Sequence, residues 1–413
     1  MNNISTKRVL LLLSLISIAV FAFAAIWNNL NYSFFVRLLF EDAKEFANKG
    51  AITSNFMPIG YSGFLGYCLK VGGVSGIPAC QSFIYIGSLF VAFWFLRLRG
   101  LGSALLILGV LAVALHPVLV LNVWRIHDGN LTVLLLFGFL AAGVSFLNFR
   151  NKWSIFLWGI FAGLLFAVRQ NAIPLFLIAI FFLLNKNSEG KNANKRIGYS
   201  RRVVLFLASA AILTAGVNLA VKQKLFYIGQ QGAYNFFSGT NEYAGRYLLW
   251  DYSGENSLEE ALKARGFSSV VAFEDRLSFP GKTYNQLALD YIKNNPLEYL
   301  KLTGLKIFTL LRPGYHAVQD SGNWEEILKQ ILKIVLAVPF FIWAFLVYKT
   351  RENFFDEKNL FVFLAILFYM VPFFVTNADP RYRFPLDIIF IADSFCRAGV
   401  IHGRALSERK IPE

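Results

Sequence analysis

The acidic residue Asp42 has the surroundings of a group that could exchange a proton. In the helical pattern of residues 34–48, Leu38 and Phe46 lie one turn before and after it, and no basic residue has helical spacing to it. A carboxylate on an apolar stripe has a raised pKa, which suits a general base working near neutral pH. The alternative is a hydrated carboxylate at the boundary between water and lipid.

Three further polar groups interrupt apolar sequence. His127 and Asp128 precede one apolar run, and Arg169 ends another. Asp128 is explained either by helix capping or by contact with an acceptor substrate. Arg169 either reaches to the membrane surface or holds a phosphate. A divalent metal shared by Asp42 with His127 and Asp128 is possible but not indicated, since the ligands would be only carboxylates and one histidine. No cofactor is predicted.

The segment 377–385 places Arg381, Tyr382 and Arg383 beside two prolines. Guanidinium groups on a backbone fixed by proline suit the oxygens of a phosphate. An ordinary solvated loop explains the polarity but not the density of arginine. Arg383 also lies four residues before Asp387, so a local ion pair is the first interpretation of that spacing, as it is for the later pair formed by Asp393 and Arg397.

The segment 239–246 mixes glycines with Asn241, Glu242 and Arg246. These groups could build a sugar or phosphate site, and a plain surface loop is the alternative.

Composition places the chain in a membrane. Of 413 residues, 56% are hydrophobic, and the mean hydropathy of +0.52 is far too high for a soluble protein. The net charge of +15, from 40 basic and 25 acidic residues, is spread over short loops, so a positive-inside bias explains it better than nucleic-acid binding. Cys68, Cys80 and Cys396 have no metal-binding spacing and imply no disulfide framework.

Apolar segments predict an all-α polytopic protein with about ten membrane spans. They lie near residues 9–27, 78–96, 101–121, 131–148, 154–168, 172–185, 203–221, 328–348, 359–375 and 384–399. The first is interpreted as a retained signal anchor. With the amino terminus in the cytoplasm, most short basic loops lie inside, and the polar candidate residues all gather outside.

Three parts follow from this arrangement. Residues 1–221 form a transmembrane module whose first outer loop, 28–77, holds juxtamembrane helices and the catalytic candidate; residues 222–327 form one large extracytoplasmic loop; and residues 328–413 form a second transmembrane module. Within the large loop, the sequence Asn295-Pro-Leu-Glu298 predicts the start of a helix that runs to about Leu311 in the membrane interface.

The order of short motifs along the chain resembles the GT-C glycosyltransferases of the protein-mannosyltransferase and aminoarabinose-transferase type, which use polyprenyl-phosphate sugars. The motifs are Asp42 with Phe46, Pro58-Ile-Gly-Tyr61, Gly163-Leu-Leu-Phe-Ala-Val-Arg169, Tyr291-Ile-Lys-Asn-Asn-Pro-Leu-Glu-Tyr299 and Ala378-Asp-Pro-Arg-Tyr-Arg383. The family often has a proline pair where this chain has Pro58-Ile59, and a tyrosine where it has Phe46.

The resemblance implies an inverting transfer of a sugar from a polyprenyl-phosphate donor to a glycolipid, glycan or protein acceptor, on the outer face of the membrane. A bacterial inner membrane is expected rather than the endoplasmic reticulum, since the sequence has no retention signal. Asp42 would be the catalytic base. Arg169, Arg381 and Arg383 would bind the donor phosphate. Acceptor or sugar contacts would come from Glu45, Tyr61, His127, Asp128, Asn241, Glu242, Arg246 and Tyr382. A flippase or transporter of lipid-linked sugars and an O-antigen ligase or polymerase are the alternatives.

Overall fold

A computed structural model describes residues 34–123, 126–185, 198–245, 254–267, 280–311, 338–378 and 380–408. Within these ranges every regular element is a helix, which confirms the predicted all-α class. The α-helices are α1 (Phe34–Lys49), α2 (Ile59–Leu98), α3 (Ser103–Ala114), α4 (Pro117–Leu121), α5 (Gly129–Phe149), α6 (Lys152–Val168), α7 (Pro174–Leu184), α8 (Tyr199–Lys222), α9 (Gln231–Ser238), α10 (Gly254–Lys263), α11 (Pro280–Asn294), α12 (Pro296–Leu311), α13 (Val338–Lys349), α14 (Glu357–Val375) and α15 (Phe384–Glu408).

Four described helices, α2, α5, α8 and α14, have the length and apolar composition needed to cross a bilayer. The 21 residues of α5 extend over about 32 Å, close to the thickness of the hydrocarbon layer. Four shorter apolar helices run beside them. The chain is therefore a helical membrane protein, while a count of about ten spans stays a prediction, and the first predicted span, 9–27, lies outside the described residues.

Two predicted boundaries differ from the structure. The single span expected over 101–121 is divided into α3 and α4, because Pro117 has no N–H to continue the helix and begins a new one instead. The juxtamembrane helix and the span expected over 78–96 join into the 40-residue α2, which breaks at Gly73, where φ is +61°. Combined with its ψ of −159°, this is a backbone conformation that only glycine adopts without strain.

Small residues allow the central helices to pack closely. Gly159 and Gly163 lie on one face of α6, and a Cβ atom at either position would overlap the backbone of α8 at Phe206 or Ala210. Close contact of this kind is how helices associate in lipid, where apolar burial alone gives no preference for protein over lipid.

At one end of the bundle, the buried Asp393 joins several helices. Its carboxylate accepts hydrogen bonds from Arg397 Nε at 2.7 Å, from Trp343 Nε1 at 2.9 Å and from Arg99 at 3.3 Å. The predicted pair of Asp393 and Arg397 is thus confirmed. Arg150 and Glu357 form another ion pair at the same end, which we call the basic end.

The described part of the large loop has a small core of its own. The buried side chains that build it come from α9, α10 and α11, and they are Tyr234, Phe237, Leu258, Ala261, Leu262, Tyr284 and Ala288. The predicted helix from Asn295 is confirmed as α12, which begins at Pro296 and ends at Leu311. It is fixed to the end of α14 because Lys306 Nζ donates a hydrogen bond to the Val375 carbonyl at 3.0 Å.

Candidate functional site

A cavity of about 120 Å³ lies at the end of the bundle opposite the basic end, where the large loop meets the helices. The loop side is formed by α9, and the bundle side by Leu39 within α1 and by the ends of α2, α5, α6 and α14. The polar residues that line the cavity are Tyr61, His127, Asp128, Arg169, Gln170, Asn171, Gln231, Asn235 and Tyr382. Five of the twelve predicted site residues therefore lie together.

An ion pair between Arg169 and Asp128 forms the charged part of the cavity wall. Arg169 Nε and Nη2 donate to the two carboxylate oxygens of Asp128 at 2.6 and 2.8 Å, and Nη1 donates to Tyr369 Oη at 3.3 Å. Burial opposes ionisation of Asp128, but Arg169 outweighs it and lowers the pKa of that carboxyl. The same pairing outweighs the effect of burial on Arg169 and raises the pKa of its guanidinium. Both groups therefore stay charged.

His127, rather than Asp128, caps the start of α5. Its Nδ1 accepts a hydrogen bond from the Gly129 backbone N–H at 2.9 Å, while the Asp128 side chain makes no capping bond. Nδ1 also lies 3.5 Å from Asp128. Asp128 thus holds the N-cap position of α5, but its side chain makes no capping hydrogen bond, and its two oxygens accept from Arg169 instead.

Tyr61 and Tyr382 supply aromatic surface to the cavity. Tyr61 is buried on α2, and Gln81 donates a hydrogen bond to its hydroxyl. Tyr382 stacks on Phe373 of α14 with the ring centroids 4.7 Å apart, and the Arg169 guanidinium lies 5.8 Å from the Tyr382 ring. The guanidinium therefore contacts both the Tyr382 ring and the Asp128 carboxylate.

The residues 52–58, which we call the bridging segment, form one edge of the cavity through Met57 and Pro58. Backbone N–H groups of Gln230 and Gln231 donate to the carbonyls of Asn55 and Phe56 at 3.0 and 2.9 Å, and Ile52 N donates to Val221 O at 2.9 Å. The bridging segment is thus fixed to the chain that leads from α8 into α9.

Two side chains also hold the bridging segment in place by hydrogen bonds. Lys222 Nζ donates to the carbonyls of Thr53, at 2.7 Å, and Ser54, and Tyr227 Oη donates to Met57 O at 2.9 Å.

Asp42 does not line the cavity. Its side chain is buried on α1 beside the bridging segment, where it hydrogen-bonds Ser54. Burial raises its pKa from the ordinary 3.8 to about 6; Glu45 adds to the rise, and Ser54 and Lys222 oppose it. The raised pKa agrees with the sequence prediction. Leu39, one turn earlier on α1, does reach the cavity.

Several other predicted residues are engaged elsewhere. Glu45 accepts hydrogen bonds from the Thr53 backbone N–H at 2.9 Å and hydroxyl at 2.7 Å, and these bonds lower its pKa. The Arg383 side chain is buried; its Nε donates to Asp387 at 2.7 Å and its Nη1 to the Leu311 carbonyl at 2.6 Å. The predicted local pair of Arg383 with Asp387 is therefore confirmed, and the structure does not bring Arg383 to the cavity.

The loop candidates also lie away from the cavity. Asn241 is buried and donates to the carbonyls of Phe237 at 2.8 Å and Ser238 at 3.2 Å, which ties it to the end of α9. Glu242 forms an ion pair with Arg265 at 2.7 Å. The prediction for Arg246 lies outside the described residues, and that for the Arg381 side chain lies outside the described side chains.

Sequence reasoning missed four carboxamides in the cavity wall. Gln170 and Asn171 follow Arg169 directly, so the polarity of that short turn was a usable signal. Gln231 and Asn235 lie four residues apart on α9, a helix with no charged residue, and only its position under the bridging segment brings them to the site.

Comparison of the chain with protein-family models, with curated proteins and with solved structures gives no match. Function is therefore inferred from the residues of the cavity themselves.

Proposed function

We propose that the protein is a membrane-embedded glycosyltransferase that moves a sugar from a polyprenyl-phosphate donor to a hydroxyl acceptor. One observation carries the proposal: polar residues distant in sequence, from Tyr61 to Tyr382, converge on one cavity at one end of an apolar helical bundle. A ligand with a polar headgroup and a long apolar tail fits that position, since its tail can stay in lipid while its headgroup enters the cavity.

Arg169 is the proposed contact to the donor phosphate. Three of its five N–H groups are used by Asp128 and Tyr369, so among the described contacts two remain for a ligand. A guanidinium already oriented by a carboxylate and a tyrosine stabilises the charge that develops on the departing phosphate without reorganising.

The reaction itself needs one bond exchange. The acceptor oxygen bonds to the anomeric carbon from the face opposite the phosphate, the carbon–oxygen bond to the phosphate breaks, and its electron pair leaves with the polyprenyl phosphate. The acceptor proton passes to a base. Displacement from the opposite face inverts the anomeric centre.

Asp42 is the proposed base. Its raised pKa, about 6, lets it take up a proton near neutral pH, whereas Arg169 makes Asp128 a weaker base. Asp42 contacts the bridging segment through Ser54, and that segment reaches the cavity at Met57 and Pro58. An acceptor bound along the bridging segment would therefore lie between the donor and Asp42.

The test uses the full chain in lipid vesicles with a panel of polyprenyl-phosphate sugars and an extract of envelope glycolipids and glycans as acceptors. Wild type should release free polyprenyl phosphate from at least one donor. Asp42→Asn should lower the release at least about 100-fold, as loss of a general base does. Glu41→Gln is the matched control, since Glu41 is an exposed neighbour paired with Lys44 at 3.2 Å, and it should keep the wild-type rate.

Two outcomes would contradict the proposal. Wild type that releases no polyprenyl phosphate from any donor is not this kind of transferase, and movement of labelled lipid between leaflets in the same vesicles would identify a flippase. Full activity of Asp42→Asn would remove Asp42 as the base.

A further inference from the structure

The cavity has a wall of carboxamides, formed by Gln170 and Asn171 on the bundle side and by Gln231 and Asn235 on α9. We infer that this amide wall binds the sugar of the donor and selects one without charge. The inference rests on the proposed function for the identity of the ligand as a lipid-linked sugar, but the amide wall itself is an observation of the structure.

The carboxamides of the amide wall are available for a ligand. The side chains of Asn171, Gln231 and Asn235 make no hydrogen bond to any described residue, and only Gln170 is engaged, through an acceptor bond from Gly229 N at 3.1 Å. Asn235 is 94% buried, its relative exposure being 6%, so it has little bulk water to bind instead. Asn171 and Gln231 are half-buried, so a ligand or ordered water in the cavity can meet them, and a buried amide such as Asn235 is costly without such a partner.

Helical spacing aims two of these groups at the same space. Gln231 and Asn235 are four residues apart on α9 and so lie on one face of the helix. Gly232, beside them in the cavity lining, has no atom within 4 Å of the point where a Cβ would lie. The glycine thus leaves room for a ring between the helix and the opposite wall.

The chemistry of the wall matches hydroxyl groups. A carboxamide offers two donors and an acceptor, and each sugar hydroxyl is both donor and acceptor. The partly exposed ring of Tyr382 suits the apolar C–H face of a sugar ring, whereas Tyr61 and Phe373, each only 1% exposed, form the apolar backing of the same cavity.

The charges of the described lining exclude a charged sugar. Asp128 is its one carboxylate and Arg169 its one guanidinium or ammonium group, and they are paired with each other. No carboxylate is left to meet the ammonium of an amino sugar. His127 also lines the cavity, but its Nδ1 accepts a hydrogen bond from Gly129 N and faces Asp128, so once Arg169 has met the donor phosphate the described lining leaves no permanently charged cation for a uronic acid. A charge buried here would lack a partner, which is strongly unfavourable.

The experiment measures binding and transfer separately. Polyprenyl phosphates that carry a neutral hexose, a 4-amino pentose or a uronic acid are added to the full chain in detergent, and the midpoint of thermal unfolding reports binding. Vesicle assays with the same donors report the release of polyprenyl phosphate. We expect the neutral donor to bind at least about tenfold more tightly than either charged donor, the discrimination expected where a charge would lie unpaired.

The decisive variant is Asn235→Asp, which keeps the side-chain shape and adds one carboxylate. It should weaken binding of the neutral donor, and it should bind the 4-amino donor at least as tightly as the neutral donor. Asn285→Asp adds the same charge on an exposed position of α11, outside the cavity lining, and should leave the preference of wild type unchanged.

The outcomes separate the two proposals. Equal or tighter binding of a charged donor by wild type, or an Asn235→Asp variant with the wild-type preference, overturns the amide wall as the sugar site and leaves the transferase standing if release is observed. Selective binding of the neutral donor without any release supports the amide wall and overturns the transferase. Absence of binding by all three donors overturns both.

Discussion

The paired charges in the cavity wall explain how a polar site persists next to lipid. Arg169 donates to both oxygens of Asp128, and the two side chains are only 9% and 23% exposed. A buried pair of this kind contributes little net stability compared with apolar residues, but breaking it by removing one partner leaves an uncompensated charge. The pair therefore makes the site sensitive to single substitutions.

We predict that Asp128→Asn lowers the free energy of unfolding by about 2 to 3 kcal/mol, because the Arg169 guanidinium stays buried without its counter-ion. Glu298→Gln, which breaks the exposed pair with Lys301, should cost less than about 1 kcal/mol. Unfolding in mixed micelles measures both. The double variant Arg169→Gln with Asp128→Asn should recover part of the loss. If Asp128→Asn were as stable as Glu298→Gln, the buried ion pair would not have the predicted effect.

Asp42 predicts a second effect, on the pH dependence of stability. Its pKa is about 6 in the folded protein against an ordinary 3.8, so between these values the folded state binds more protons than the unfolded state. The free energy of unfolding must then fall as the pH rises from about 4 to 6. We compare the free energy of unfolding of wild type with that of Asp42→Asn. From pH 4 to pH 7.5 this difference should shift against wild type by about 2 to 3 kcal/mol.

The measurement is the difference in unfolding free energy between wild type and Asp42→Asn at several pH values. Glu41→Gln is the control, and its difference from wild type should not grow over this range. If Asp42 is also the base, the transfer rate of wild type should rise through pH 6 as the carboxyl ionises. A difference from Asp42→Asn that stays constant from pH 4 to 7.5 would contradict the buried position of Asp42.

At the scale of elements, the bridging segment decides where the site can form. Local signals were sufficient for α1 and α12: the helical row around Asp42 and the Asn-Pro-x-Glu start at Asn295 both predict helices that the structure contains. They were not sufficient for the amide wall, because Gln231 and Asn235 reach the cavity only through the pairing of residues 230 and 231 with the bridging segment. Pairing between segments more than 170 residues apart leaves no periodic pattern in a single sequence.

Gly229 is where this pairing permits no side chain. A Cβ there would lie 2.9 Å from the Phe56 carbonyl oxygen and 3.0 Å from the Met57 carbonyl group, all of which is backbone. Gly229→Ala should therefore push the bridging segment away from α9, lower the free energy of unfolding by about 1 to 3 kcal/mol and reduce donor binding in parallel.

Gly216→Ala is the matched control, since no atom lies within 4 Å of a Cβ at that helical position. It should be neutral or slightly stabilising, because alanine favours a helix over glycine. Thermal unfolding with and without donor measures both variants. If Gly229→Ala keeps the stability and the donor binding of wild type, the pairing does not shape the cavity.

At the scale of the whole molecule, the polar groups are divided between the two ends of the bundle. Each candidate span runs from one end to the other: α14, for example, begins at the ion pair of Glu357 with Arg150 and ends near Phe373 in the cavity. The sequence predicted this two-sided distribution from loop charges alone, because basic loops and polar candidate residues alternate between successive apolar runs. Contacts between the helices then bring the basic groups together at one end and the polar candidate residues together at the other.

The last prediction concerns which compartment each end faces. In a variant with Cys68, Cys80 and Cys396 replaced by serine, Phe226→Cys is placed near the cavity and Phe355→Cys near the basic end; the native side chains are 88% and 80% exposed. The bias of arginine and lysine predicts that the basic end is cytoplasmic. A membrane-impermeant maleimide should then label Phe226→Cys in intact bacterial cells and Phe355→Cys only after the membrane is permeabilised. Labelling of both positions from one side would contradict the two-ended bundle, and the reverse pattern would place the cavity in the cytoplasm, where an externally displayed acceptor cannot reach it.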